Sequence, residues 1–141
     1  VNLYLDTSAL VKLYVEEVGR AAVLAAIREA EIVGTAMIAY VEARAAFARR
    51  RREGALARSG YLRCIRDLDQ DWPRYLRFEL NEPLLFMAAR MTERYRLRAY
   101  DAVHLVSALS MRDRLAEVVF ACWDEELNSA ARRTGLALLA P

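Results

Sequence analysis

Cysteine, histidine and lysine are nearly absent from this chain. Among 141 residues there are two cysteines, one histidine (His104), and Lys12 as the sole lysine among 21 basic residues. Cys64 and Cys122 have neither metal-motif spacing nor the density of a disulfide scaffold, so both are expected to be reduced and buried. With one histidine and no cysteine pair, a zinc centre is not expected. No segment approaches the uninterrupted apolar length of a bilayer span, and no basic flank, apolar stretch and small-residue cleavage site opens the chain. The expectation is a cytoplasmic protein with no membrane partner. A net charge of +2 is too small to identify a ligand. The positive charge is almost all arginine, which suits bidentate phosphate contacts, although genome base composition produces the same bias. The length predicts a single domain, residues 1–141, with a real core.

What is present is an alternation of short apolar runs and helical patterns. Residues 1–5 read as a buried central strand that stops at Asp6, and Thr7 and Ser8 then open a helical pattern through Ala9, Leu10, Leu13 and Tyr14. A second helix is predicted over 19–28, with Ala22, Val23, Ala26 and Ile27 as its apolar set, and a strand over 32–35. A helix over 37–52 carries Ile38, Val41, Ala45 and Ala48 on one face and four arginines, 49–52, at its end. Further helices are predicted over 56–71, 82–95, 100–111 and 124–134, and strands over 75–80, 118–122 and 136–139. The strand at 75–80 alternates like one near a sheet edge. This order predicts an α/β fold in three layers, a central parallel β-sheet flanked by helices.

That topology collects acids. In an open parallel sheet, ligands bind at the carboxyl ends of the strands. Asp6 ends the first strand, Glu42 lies early in the helix after the second, Asp101 opens the helix feeding the fourth, and Asp124 follows that strand. All four are therefore expected at one edge. Two carboxylates about 5 Å apart repel by roughly 3 kcal/mol at an effective dielectric near 20. A divalent cation removes the conflict, and all-oxygen ligation suits Mg2+ or Mn2+. Two such ions support in-line displacement at a phosphodiester, so a nuclease is the predicted activity. Asp6, Asp101 and Asp124 also stand where helix caps or first-turn acids stand, and each has that plainer reading singly. Glu42 does not: it interrupts an apolar, alanine-rich face (Ala39, Val41, Ala43, Ala45, Ala46) where no cap is needed.

The stretches YLDTSALVKLY, AYVEARAAF, LRAYDAVHLVSAL and DEELNSAARRTGL strongly resemble the PIN-domain ribonucleases, specifically VapC-type toxins of toxin–antitoxin pairs. The resemblance covers nearly the whole chain. It implies that Asp6, Glu42, Asp101 and Asp124 form an acidic quartet holding Mg2+ or Mn2+, with Asp6 and Asp101 the closest ligands. Ser8 matches a hydroxyl that orients a water or a carboxylate, and Thr7 and His104 stand behind the ligands. It further implies endoribonucleolytic cleavage of RNA leaving a 5′-phosphate and a 3′-hydroxyl, homodimerisation, and silencing by a cognate antitoxin whose tail reaches the active-site groove. One departure is Cys122, followed by Trp123, where the family often has Thr or Ser two residues before the fourth acid. A thiol is a weak donor, so Asp124 is expected to be the least firmly oriented acid, with Glu125 as a substitute.

Other features have plainer readings. His104 is expected to be packed or to support a ligand rather than act as an acid. The arginines at 49–52 line an RNA path or form a solvated helix end. Tyr14, Phe47, Tyr61 and Leu62 serve a dimer or antitoxin surface or the core. A receiver-like phospho-acceptor domain shares the layout but needs a lysine near the last strand, and Lys12 is not there. The remaining alternatives are a housekeeping RNA-processing nuclease and a non-catalytic PIN-like binding module, the latter disfavoured by the presence of all four acids.

Overall fold

In the computed structural model, which describes residues 1–139, strand β1 (Asn2–Leu5) is the middle of a five-stranded sheet and is buried along its whole length. The other strands are β2 (Val33–Ala36), β3 (Leu76–Phe78), β4 (Val118–Ala121) and β5 (Ala137–Leu138). All pair in parallel, in the order β3-β2-β1-β4-β5. Of the expected domain 1–141, residues 140 and 141 lie outside the described residues.

The helices are α1 (Thr7–Lys12), α2 (Arg20–Glu29), α3 (Ile38–Arg52), α4 (Arg58–Asp71), α5 (Glu82–Tyr95), α6 (Ala99–Leu115) and α7 (Glu125–Arg133). Strand alternation divides them into two outer layers. Leu3 and Leu5 of β1 pack with Leu10, Val23, Ala43, Phe47 and Leu68 from α1 to α4. Tyr4, between them, turns the other way and packs with Phe120 and with the buried faces of α5, α6 and α7. Its ring stacks on Phe120 at 5.6 Å, with 8° between the planes. The result is an α/β/α sandwich, as expected. From β1 the chain winds outward through β2 to β3, then returns to place β4 on the other side of β1. The reversal leaves a crevice beyond the carboxyl ends of β1 and β4, the usual position for a ligand in such a sheet.

Several expectations shift. Helix α6 continues to Leu115, four residues beyond the predicted end at 111, and stops where Ala116 takes φ 68°. The edge strand β3 is three residues long rather than six. The packed face of α3 is Ala39, Ala43 and Phe47, not Ile38, Val41, Ala45 and Ala48, and Val41 is 69% exposed. Both sets have helical spacing, but the alanine face lets α3 approach α1 closely, while Ile38 packs into the opposite core. Phe47 is fully buried, and the Tyr14 hydroxyl is taken by Asp71 and Tyr75, so neither is a docking residue; Leu62 remains half exposed. Cys64 and Cys122 are free and buried, as predicted.

Gly19 caps α2 at φ +96°, and a Cβ there would stand 2.7 Å from the Trp123 ring. The contact holds the loop between β4 and α7, because the Trp123 N–H donates to Ser8 Oγ (3.0 Å). Gly19→Ala is therefore expected to combine a left-handed backbone penalty with a ring clash, destabilising by about 2 kcal/mol and lowering Tm by roughly 6 °C. Thermal unfolding followed by tryptophan fluorescence measures it, and an unchanged Tm would contradict the packing.

Candidate active site

Asp6 follows the last residue of β1 and is the N-cap of α1. Its Oδ1 accepts the Ala9 N–H (2.9 Å) and the Ser8 hydroxyl (2.6 Å). The side chain has only 4% exposure, and no lysine or arginine among the described residues forms an ion pair with it. Burial pushes its pKa up, and His104, Ser8, the Ala9 N–H and the Cys122 thiol only partly oppose this. Ser8 does two things at once. It donates to Asp6 and accepts from Trp123, tying the end of β1 to the loop that carries Asp124.

Glu42 sits on the second turn of α3, turned toward α1 and α6. Thr7 Oγ1 donates to its Oε1 (2.6 Å), and His104 Nε2 lies 2.9 Å from the same oxygen and 3.0 Å from Thr7 Oγ1. His104 is 2% exposed, and its Nδ1 meets the buried Tyr4 hydroxyl at 2.8 Å. With Glu42 ionised, Nε2 must carry the proton it shares, and in the neutral ring Nδ1 accepts from Tyr4. Burial alone would raise the Glu42 pKa. His104 and Thr7 more than offset it and hold the carboxyl below the usual glutamate range. A chain of contacts thus runs from the core of the sheet to a half-buried acid.

Asp101, in the first turn of α6, and Asp124, the N-cap of α7, are bridged by Arg98. Its Nε donates to Asp101 Oδ2 (3.1 Å) and its Nη2 to Asp124 Oδ2 (3.2 Å). Asp124 Oδ1 accepts the Leu127 N–H (2.9 Å). The Cys122 thiol accepts the Asp124 N–H (3.2 Å), and burial keeps it protonated by pushing its pKa up. The cap and this contact hold Asp124 on both sides, so its orientation is firmer than the weak thiol donor suggested. Glu125 is the first residue of α7.

Among the described residues no three acidic, histidine or cysteine side chains form a ready cage for an ion. The donor chemistry nevertheless fits a hard divalent cation. Glu42 Oε2 and Asp101 Oδ1 accept no hydrogen bond from a described residue, Asp6 Oδ2 has no N–H or O–H donor, and Asp6 is a buried carboxylate without a cationic side chain beside it. Thr7 and Ser8 also form one end of an open groove of about 520 Å3 whose far side carries Lys12 and Arg50, both paired with Glu17. Arg49 pairs with Glu53 at the solvated end of α3. Arg98 and Tyr4 were not singled out in the sequence. Arg98 stands one turn before Asp101, a readable spacing, whereas its reach to Asp124 and the meeting of Tyr4 with His104 depend on the folded sheet.

The PIN domain family matches residues 3–132. The chain is 33% identical over 133 residues to Ribonuclease VapC45 of Mycobacterium tuberculosis (strain CDC 1551 / Oshkosh), covering 94% of this chain and 91% of that protein. The same figures hold for Ribonuclease VapC49 of Mycobacterium tuberculosis (strain ATCC 25618 / H37Rv). Among solved structures, FitAcB from Neisseria gonorrhoeae superposes with TM-score 0.69 at 18% identity, over 99% of this chain and 97% of that one. FitAB bound to an IR36 DNA fragment gives TM-score 0.69 at 16% identity, over 96% and 92%. At those identities the structures speak for the fold.

Asp6→Asn is expected to stabilise the metal-free protein. A carboxyl whose pKa is raised by folding favours the fold when protonated. Its contribution is complete below the unfolded value of 3.8 and is lost as pH rises through the raised one. The variant should gain about 1 kcal/mol, or about 3 °C, at neutral pH, and the gain should vanish toward pH 4. In millimolar Mn2+ the order should reverse if Asp6 is a metal ligand, since the wild type alone then keeps the buried carboxylate. Melting curves across pH, with and without Mn2+, test all three statements, and an Asp6→Asn protein less stable at neutral pH without metal would refute the argument.

Proposed function

The chain belongs to the PIN-domain family, and from that premise we propose that it is a Mg2+- or Mn2+-dependent endoribonuclease, the toxin of a toxin–antitoxin pair. The observation that carries the reading is Asp6: a buried acid with no lysine or arginine paired with it among the described residues, at the crevice beyond β1 and β4, linked through Ser8, Thr7 and His104 to the elements that bear Asp124 and Glu42. Both proteins named as ribonucleases above share a third of their residues with it over nearly full length.

In this reading Asp6, Glu42 and Asp101 hold the ion through the oxygens that lack protein donors, and Asp124 completes the set. What such an ion supplies when bound is Lewis acidity, toward water and toward a phosphodiester oxygen. The remaining work belongs to the chain. Ser8 and the Ala9 N–H fix the direction of Asp6, and Thr7 and His104 keep Glu42 ionised and aimed. Arg50 lines the groove beside Thr7 and Ser8, where in exchange for its pair with Glu17 it gives an RNA phosphate a cationic contact, while Lys12 is largely buried. Met37 just before α3, Val41 on α3, Leu85 and Phe86 on α5, and Tyr100 on α6 leave large side chains in solvent. These suit the protein partners of the proposal, a cognate antitoxin and a second copy of the chain.

The test is cleavage of single-stranded RNA by the purified chain in Mg2+ or Mn2+, with ends mapped. Asp6→Asn and Asp101→Asn are each expected to lower the rate by at least about a hundredfold with the fold intact by circular dichroism, as loss of a ligand that places the ion does. Undiminished cleavage by Asp101→Asn, with contaminating nuclease excluded, would end the assignment. Transcript-end mapping after induced expression then identifies the RNA that is cut, and a small upstream gene for a DNA-binding protein separates a toxin from a housekeeping nuclease.

A further inference from the structure

Arg98 ends an extended segment as the N-cap of α6, yet its side chain caps nothing. It spreads instead across two acids from different elements, Asp101 of α6 at 3.1 Å and Asp124 of α7 at 3.2 Å, while 79% of the side chain faces solvent. A planar guanidinium suits this fork, since it presents parallel N–H groups to carboxylates on either side. The contact has a consequence for Asp124. One of its oxygens accepts the Leu127 N–H and the other accepts from Arg98, so neither is free of a donor in this arrangement. Asp101 retains Oδ1. A cation approaching through Asp6, Glu42 and Asp101 meets open oxygens, whereas one that also engages Asp124 shares each oxygen with a donor and competes with the Arg98 charge at Oδ2.

We propose that Arg98 is an internal counter-ion of the acidic site, a positioning residue that a divalent cation displaces from Asp124 and that thereby sets the affinity of the site for metal. The inference rests on the metal-site reading above and deepens it. It accounts for one exposed guanidinium spanning two acids from different helices. The two cations compete for the same oxygens, so removing the resident charge must favour the incoming one. The pair is exposed and screened, and the effect is correspondingly modest.

Mn2+ binding to the purified full chain, without RNA, provides the test, with free Mn2+ followed by electron paramagnetic resonance at fixed low ionic strength. Arg98→Ala is expected to lower the Kd for Mn2+ by about twofold to fivefold, within the range that exposed ion pairs contribute. Arg98→Lys should fall between the two, because an ammonium cannot fork both acids. Arg28→Ala, at the opposite end of the molecule on α2, should leave the Kd unchanged and so separates local competition from overall charge. As a direct readout, Mg2+ titration should shift the Arg98 Nε–H resonance at the concentrations that saturate the site. If the wild type binds Mn2+ and Arg98→Ala binds it no more tightly, or if Arg28→Ala gains as much, the inference is overturned while the metal site stands. If neither the wild type nor Arg98→Ala binds Mn2+, the metal-site reading falls and the inference with it. Tight binding by Arg98→Ala alone would be its strongest support.

Discussion

A carboxyl held at 4% exposure, with its N–H and O–H donors converging on one oxygen and no lysine or arginine paired with it, is the constraint around which this molecule is arranged. Asp6 cannot retreat from this position. β1 is paired on both edges and covered on both faces, so the residue that follows Leu5 emerges at the crevice whatever its chemistry. The fold gives it one backbone N–H and one hydroxyl, less than a buried charge requires. The raised pKa expresses that shortfall. A site that is underserved by its own protein is a site with room for something else, and the open oxygens of Glu42 and Asp101 have the same character.

The acids around it are managed in two different ways. Glu42 is held from the interior. Tyr4 points down from the central strand, His104 passes the contact across α6, and Thr7 meets it from α1, so a half-buried acid remains ionised on a rigid three-sided support. Asp101 and Asp124 are held from outside by one solvent-exposed arginine. Interior hydrogen bonds resist salt and motion, whereas an exposed guanidinium yields to a competing cation. The acids are therefore held by different means, Glu42 by buried hydrogen bonds and Asp101 and Asp124 by an exposed ion pair.

Much of this was legible in the sequence because its logic is topological. The strand at the start of the chain and the parallel order follow from apolar runs alternating with helical patterns, and need no side-chain detail. What was not legible depends on which of two equivalent patterns the packing selects. On α3, Val41 and Ala43 belong to rival stripes, and only the close approach of α1 decides for the alanines. Phe47 and Tyr14 read as possible surface residues because aromatic side chains serve cores and interfaces equally. Cys122 is a weak donor, as the thiol predicts, to the Asp124 carbonyl (3.6 Å), and it also accepts from the Asp124 N–H, a role the residue type allows but does not announce. Arg98 was overlooked for a related reason: the residue it reaches on α7 is distant in sequence.

The plain and the chemical readings of the acids turn out not to be rivals. A helix cap needs one carboxylate oxygen, and a cation needs one as well. Asp6 uses Oδ1 for Ala9 and Ser8 and keeps Oδ2 from any N–H or O–H donor; Asp124 uses Oδ1 for Leu127 and lends Oδ2 to Arg98. Capping fixes the rotamer and so aims the second oxygen before any ligand arrives, which is the preorganisation that a ligand site needs. The dipoles of α1 and α7 favour negative charge at the same places, and they soften the repulsion that gathering four acids creates. Helix termini opening onto one sheet edge therefore supply acids that are already oriented, and on the β4 side Arg98 supplies the positive charge that keeps Asp101 and Asp124 together.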